Sequence, residues 1–263
     1  MNPVNAIRGV LIDLSGVLHV GDKACEGALS GLKKLRQAEI PFRFCTNTTK
    51  ESSSNILNKL TNMGFEINKN ELFTSLTASR NLVLSSGLRP MLFLEESALE
   101  DFQGVSTDEP YNAVVVGLSP SNFNYDMLNK AFRFLINNPE APLIAIHKGK
   151  YYAEQDGLSM GPGAFVKALE FSSGVNSIVV GKPEKIIYEL AIKDMGIENE
   201  TKHVVMIGDD ITQDLGVGAK ELGLVRYLVK TGKYRNGDEN RDPTIDGVFE
   251  NFEKAIDKIV GGT

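Results

Sequence analysis

Gly9-Val10-Leu11-Ile12 is an uninterrupted apolar run that stops at an acid, Asp13. It is too short for a helix, and its lack of alternation leaves no side for solvent, so it suits a strand buried on both faces of a parallel sheet. The same arrangement recurs along the chain. Phe42-Arg43-Phe44-Cys45 is stopped by Thr46-Asn47-Thr48-Thr49, Ser177-Ile178-Val179-Val180 by Gly181-Lys182-Pro183, and His203-Val204-Val205-Met206-Ile207 by Gly208-Asp209-Asp210. Helical spacing fills the intervals: Ala28, Leu32 and Leu35 within residues 27–38, and Ile56, Leu57, Leu60 and Met63 within 51–63, where Gly64 follows as a carboxyl-terminal cap. Pro183 opens a further helix carrying Ile186, Ile187, Leu190, Ala191 and Met195.

Met91–Leu94, Ala113–Gly117 and Leu143–Ile146 continue the alternation with fewer acids at their ends, and Gly161-Pro162-Gly163 leads into a helix from Ala164 to Phe171. Leu215–Leu222 and Val225–Val229 are expected to close the chain as helix and strand. Strands alternating with helices throughout predict an α/β fold with a mostly parallel sheet. At 263 residues, one domain with a sizeable insertion is the natural expectation.

The formal charge of -6 and the scattered lysines and arginines lack the basic stripe of a nucleic-acid binder, which favours a small-molecule substrate. Apolar runs fall far short of the roughly 18 residues a membrane span needs. The amino-terminal segment carries Arg8 and an apolar stretch broken by Asp13, with no small-residue cleavage site, and Cys45 closes an apolar run where a buried thiol is expected. A cytoplasmic protein is expected.

In an open parallel sheet, ligands bind at the carboxyl ends of the strands. Asp13, Thr46, Lys182 and Asp209 all follow strand candidates. Each taken singly is as readily a helix cap or a turn residue. Jointly they supply what phosphoryl transfer to a carboxylate requires. Asp13 is the candidate nucleophile. A hard cation such as Mg²⁺, held by Asp13 and Asp209 with Asp210 or Asp214 as further candidates, would offset the repulsion between two anions. Lys182 would add positive charge beside the phosphoryl oxygens, and Thr46 with nearby backbone amides would donate hydrogen bonds to them.

Asp13-Leu14-Ser15-Gly16-Val17-Leu18, Thr46-Asn47, Lys182-Pro183 and Gly208-Asp209-Asp210 with Asp214 resemble, in order and spacing, the four motifs of the haloacid dehalogenase superfamily. The stretch between the second and third motifs resembles the larger α/β cap of its phosphatase branch, with Gly161-Pro162-Gly163-Ala164 similar to that cap's closing motif. The resemblance implies a Rossmann-like parallel-sheet core formed by residues 1–77 and 179–263, with an inserted α/β cap over 78–178. It implies Asp13 as nucleophile and metal ligand and Lys182 as the second catalytic residue. Ser15, Gly16, Thr46, Asn47, Thr48 and Lys182 would bind the substrate phosphate. Mg²⁺ would be held by Asp13, the Ser15 carbonyl and Asp209, with Asp210 and Asp214 as outer acids. The implied substrate is a small phosphorylated metabolite, and the implied assembly is a homodimer through the cap.

One position departs from the family pattern. Most phosphatases of the superfamily carry a second Asp two residues after the nucleophile, where this chain has Ser15. A hydroxyl is a poor acid or base near neutral pH, so the expected substrates are those whose leaving group departs easily, such as pyrophosphate or a phosphoramidate. The alternative is a phosphate- and Mg²⁺-binding regulatory protein with little turnover. His19 reads as a solvated loop histidine, His203 as structural, and His147 with Lys148 as residues that could reach a substrate.

Overall fold

The computed structural model describes residues 7–48, 51–154 and 157–261, so Thr49 and Lys50 of the turn after Cys45 lie outside the described residues. The chain divides into two compact units, one of Met1–Thr46, Ser54–Phe73 and Lys182–Thr263, the other of Asn47–Ser53 and Thr74–Gly181. Both are α/β and both are built on parallel strands.

In the first unit the sheet order is Gly247–Phe249, Val225–Val229, Val204–Gly208, Gly9–Ile12, Phe42–Thr46, Leu72–Thr74. Gly9–Ile12 sits inside it, pairing in parallel with Val204–Gly208 on one side and Phe42–Thr46 on the other. Every residue of this strand is buried, as an unbroken apolar run requires. Strand order reverses direction at this point, since the chain builds outward on one side with its early strands and on the other with its late ones. A crevice at the carboxyl ends is the geometric consequence.

Helix Ala28–Gln37 lays Ala28, Leu32 and Leu35 on one face of the sheet and packs beside helix Phe252–Val260, whose Phe252, Ala255 and Ile256 are equally buried. Gly31 allows the two helices to approach, because a Cβ there would lie 2.9 Å from the Phe252 ring and 3.1 Å from the Glu253 backbone. Burying Phe252 contributes roughly 1.5–3 kcal/mol. The chain therefore does not close on Val225–Val229. Gly247–Phe249 is a half-exposed edge strand too short to leave a periodic trace, whereas Phe252, Ala255, Ile256 and Ile259 are spaced as a helix stripe.

The second unit has the sheet order Ser177–Val179, Leu143–Ala145, Ala113–Val116, Pro90–Phe93, with all neighbours parallel. Helices Tyr125–Asn137 and Gly163–Ser173 contribute Ala131, Leu135, Val166 and Leu169 to its core, where Phe123 stacks on Phe165 at 3.8 Å between ring centroids. Gly161 and Gly163 serve a close backbone approach. Their Cβ atoms would meet Gly149 O at 2.2 Å and Lys148 O at 2.6 Å, and their amides donate to Lys150 O and Gly149 O. The residues between Lys148 and Gly161 include two antiparallel paired strands, Tyr151–Glu154 and Gly157–Met160, which the sequence did not announce.

Ser177–Val179 corrects a second expectation. It leads to Lys182, yet it pairs at the edge of the second unit's sheet and not beside the strands that end in Asp13, Thr46 and Asp209. Its partly exposed pattern, with Ile178 41% accessible, marks an edge that a bare apolar run does not distinguish from a central strand.

Arg226, on strand Val225–Val229, is buried with its guanidinium spread over Leu215 O at 2.9 Å, Asp242 Oδ2 at 2.8 Å and Thr244 O at 2.7 Å. It ties the segment after Asp214 to the loop before the last strand. Arg226→Met strips these acceptors of their donor and is expected to cost about 3 kcal/mol. A urea midpoint equal to that of the parent would refute this role.

Candidate active site

The loop after Gly9–Ile12 is held from three sides. Asp13 N donates to Ile207 O at 3.0 Å, Gly16 N to His19 O at 2.7 Å, and Gly16 O accepts from Thr231 Oγ1 at 2.5 Å. Gly16 has φ +96°, and a Cβ on it would lie 1.9 Å from Asp209 Oδ2, so both conformation and space demand glycine. Ile12 is in register with Ile207, which places Asp13 and Asp209 just beyond the ends of adjacent strands.

Beyond Gly208 the chain turns back on itself. Asp210 Oδ1 accepts from Thr212 N at 2.9 Å, Thr212 Oγ1 at 2.7 Å and Gln213 N at 3.0 Å, a local side-chain turn that competes well with continued strand. Asp214 is thereby returned against the strand end, where its Oδ2 accepts from Asp210 N and a Cβ on Gly208 would strike its own Cβ at 2.2 Å. Lys182 Nζ then bridges the two sides, 2.5 Å from Asp13 Oδ1 and 2.6 Å from Asp214 Oδ1. Asp13, Lys182, Asp209 and Asp214 are all buried.

Carboxylate oxygens of Asp13, Asp209 and Asp214 lie within 4.8 Å of one another. One ammonium offsets three acids, so fully ionised the group would hold an excess of negative charge away from water. Burial, then the charge of Asp214, outweigh the Lys182 contact and push the Asp13 carboxyl up to about 6. Burial pushes Asp209 up to about 7 despite its hydrogen bond from Lys233 N. Lys182 is held well above the usual lysine range, because Asp13 and Asp214 overcome the burial that would discharge it. Asp209 Oδ1 is buried without a hydrogen-bond partner among the described residues. Clustered oxygen donors, uncompensated charge and an unpartnered carboxylate oxygen together fit a hard divalent cation.

A haloacid dehalogenase-like hydrolase model matches residues 10–106, and a HAD-hydrolase-like model matches 179–255. Haloacid dehalogenase-like hydrolase domain-containing protein 2 of Homo sapiens is 48% identical over 261 residues, spanning 99% of this chain and 98% of that protein. The chain belongs to the haloacid dehalogenase-like hydrolases. Phospholysine phosphohistidine inorganic pyrophosphate phosphatase of Xenopus laevis is 39% identical over 97% of this hydrolase and 96% of that protein. Among solved structures, 4-nitrophenylphosphatase of Thermotoga maritima superposes with a TM-score of 0.85 at 26% identity, covering 96% of this chain and 97% of that one.

In this hydrolase Asp13, Lys182, Asp209 and Asp214 converge, whereas the Asp210 side chain is spent on its turn. Hydrogen bonds from Thr212 and Gln213 overcome its burial and hold Asp210 below the usual carboxylate range. Thr46 is buried at the end of its strand, while Asn47 and Thr48 fall in the second unit, where Asn47 Oδ1 would lie 2.6 Å from a Cβ on Gly181. Ser15 is exposed beside the bridge its residue makes to His19. His19 itself is buried, its Nδ1 2.9 Å from Gly21 O, and not solvated as expected. Lys148 is engaged within its own unit, pairing with Glu170 at 2.7 Å. His147 is half-buried, and desolvation pushes it down to about 4, so its ring is neutral near pH 7.

Thr231-Gly232-Lys233, absent from the sequence-derived site, closes the arrangement. Thr231 holds Gly16 O, Lys233 N donates to Asp209 Oδ2 at 2.6 Å, and a Cβ on Gly232 would lie 2.1 Å from that same oxygen. Its position after strand Val225–Val229, neighbour to the strand that delivers Asp209, was the available signal.

Native Asp13 and Asp209 retain protons that the unfolded chain sheds near pH 4, so without a cation these acids lower stability as pH rises from about 4 to about 7. A cation binds only the ionised acids, and its stabilisation therefore grows over the same window. Saturating Mg²⁺ should raise Tm by several degrees at pH 8 and by far less at pH 5. Equal increments at both pH values would contradict the site.

Proposed function

We propose that this chain is an Mg²⁺-dependent phosphatase in which Asp13 attacks phosphorus and carries the phosphoryl group as an aspartyl phosphate. The observation that supports this above all is the buried convergence of Asp13, Asp209 and Asp214 around Lys182. The names of the relatives agree with it, since the solved neighbour is a nitrophenylphosphatase and one relative a pyrophosphate phosphatase.

Lys182 fixes the orientation of the attacking carboxylate through Asp13 Oδ1, and its charge faces the phosphoryl oxygens as they approach. Thr46, at the end of the neighbouring strand, is the hydroxyl donor for those oxygens. Asp13, Asp209 and Asp214 would hold the Mg²⁺, which when bound supplies charge neutralisation between nucleophile and substrate. The bond from the Asp13 oxygen to phosphorus forms as the bond to the leaving oxygen breaks, and the bonding pair departs on that oxygen. Water then cleaves the aspartyl phosphate and restores the carboxylate.

Ser15 governs which leaving groups are served. It is exposed and carries only a hydroxyl, so it offers no proton to an alkoxide. Substrates whose leaving group is stable as an anion, such as pyrophosphate, or brings its own proton, such as a phosphoramidate protonated on nitrogen, are therefore the ones this site suits. The same observation supports the rival reading, a phosphate-binding protein that barely turns over.

A panel of pyrophosphate, imidodiphosphate, aryl phosphate and alkyl phosphate separates the two. Hydrolysis of the first three is expected only with Mg²⁺ and is lost in Asp13→Asn. Ser15→Asp should raise alkyl phosphate hydrolysis by about 10²–10⁴. Turnover that survives Asp13→Asn would sink the mechanism, and no turnover of any member would favour the binding protein.

A further inference from the structure

A leaving group that departs as an anion needs a cation where it departs, because no acid neutralises it. Lys182 does not serve, being buried and committed to Asp13 and Asp214. Lys230 of the same unit is engaged elsewhere, with Glu250 at 2.8 Å.

Lys233 differs in three ways. Its backbone is pinned into the site, with its amide donating to Asp209 Oδ2 at 2.6 Å and the preceding Gly232 pressed against Gly16 and the Asp209 carboxylate. Its side chain is 64% exposed, and its positive charge is felt by both Asp13 and Asp209. Its ion pair, to Asp210 Oδ2 at 3.7 Å, is long and open to solvent. Such a pair contributes little and gives way readily to a better anion. The carboxylate it would release stays held by its own turn, since the other oxygen, Asp210 Oδ1, takes three hydrogen bonds from Thr212 and Gln213.

We propose that Lys233 is a specificity-determining residue whose ammonium binds the departing phosphate of a diphosphate substrate, supplying in charge what Ser15 does not supply as a proton. The inference rests on the phosphatase reading given above. As Asp13 bonds to one phosphorus, the bridging P–O bond breaks and its electron pair leaves on the bridging oxygen of the second phosphate. That phosphate gains negative charge beside Lys233. The Asp13-bound phosphoryl group is then hydrolysed by water, so the diphosphate and one water become two phosphates.

An aryl phosphate tests this sharply, because nitrophenolate spreads its charge over its ring and has no phosphate oxygens to offer. Steady-state kinetics of Lys233→Gln and Lys233→Arg would be measured with inorganic pyrophosphate and with p-nitrophenyl phosphate, under saturating Mg²⁺. Lys233→Gln should lower kcat/KM for pyrophosphate about 10- to 100-fold beyond any loss on p-nitrophenyl phosphate, as expected for a lost charged hydrogen bond, because the effect of its charge on Asp13 and Asp209 is common to both substrates. Lys233→Arg should recover most of the pyrophosphate activity. The Tm increment given by Mg²⁺ should be the same in parent and Lys233→Gln, because the backbone amide and not the side chain holds Asp209. Parallel loss on both substrates, or a smaller Mg²⁺ increment, overturns the specificity role while leaving the phosphatase reading intact. Parent protein inactive on both substrates overturns both.

Discussion

Three carboxylates and one ammonium share a buried space at the ends of adjacent strands, and the rest of the first unit is arranged to keep that surplus of negative charge in place. Removing an ion from water costs several kcal/mol even after relaxation, and a single lysine does not offset three acids. The cost shows in Asp13 and Asp209, which burial pushes up to about 6 and about 7. Only a stiff frame tolerates such a group. Val10, Leu11 and Ile12 are fully buried and are clamped by parallel partners on both sides, so the strand that presents Asp13 has nowhere to relax.

Crowding then fixes geometry as firmly as hydrogen bonding does. At Gly16 and Gly232 a Cβ would collide with the Asp209 carboxylate, and at Gly208 with Asp214. Backbone stands where side chains would otherwise be, which lets three loops close on carboxylates whose oxygens lie within 4.8 Å of one another. Thr231 and Lys233 N lock two of those loops together from the neighbouring strand. Within this frame Ser15 is the chemical exception, an exposed residue that carries only a hydroxyl.

Much of this was legible in the sequence, for identifiable reasons. Buried parallel strands leave short unbroken apolar runs, and polar residues at their ends are where chemistry collects, so Gly9–Ile12 with Asp13 and Val204–Gly208 with Asp209 could be read directly. Ser177–Val179 could not be assigned to a sheet, because an edge strand and a central strand of three residues look alike before their partners are known. Gly247–Phe249 was too short and too exposed to register. Thr231-Gly232-Lys233 read as an ordinary turn after a strand, since its role depends on a contact with Gly16, 215 positions away. His19 looked solvated for the opposite reason: nothing in a loop sequence reveals that its ring is folded inward onto Gly21 O.

The central claim is that Asp13 becomes covalently phosphorylated. Acid quenching during turnover of pyrophosphate, followed by borohydride reduction and peptide mass mapping, converts an acyl phosphate on an aspartate to homoserine and so reports the nucleophile itself. The account predicts homoserine at position 13, dependent on Mg²⁺ and on substrate. Turnover accompanied by an unmodified Asp13, or by reduction at a different carboxylate, would contradict it.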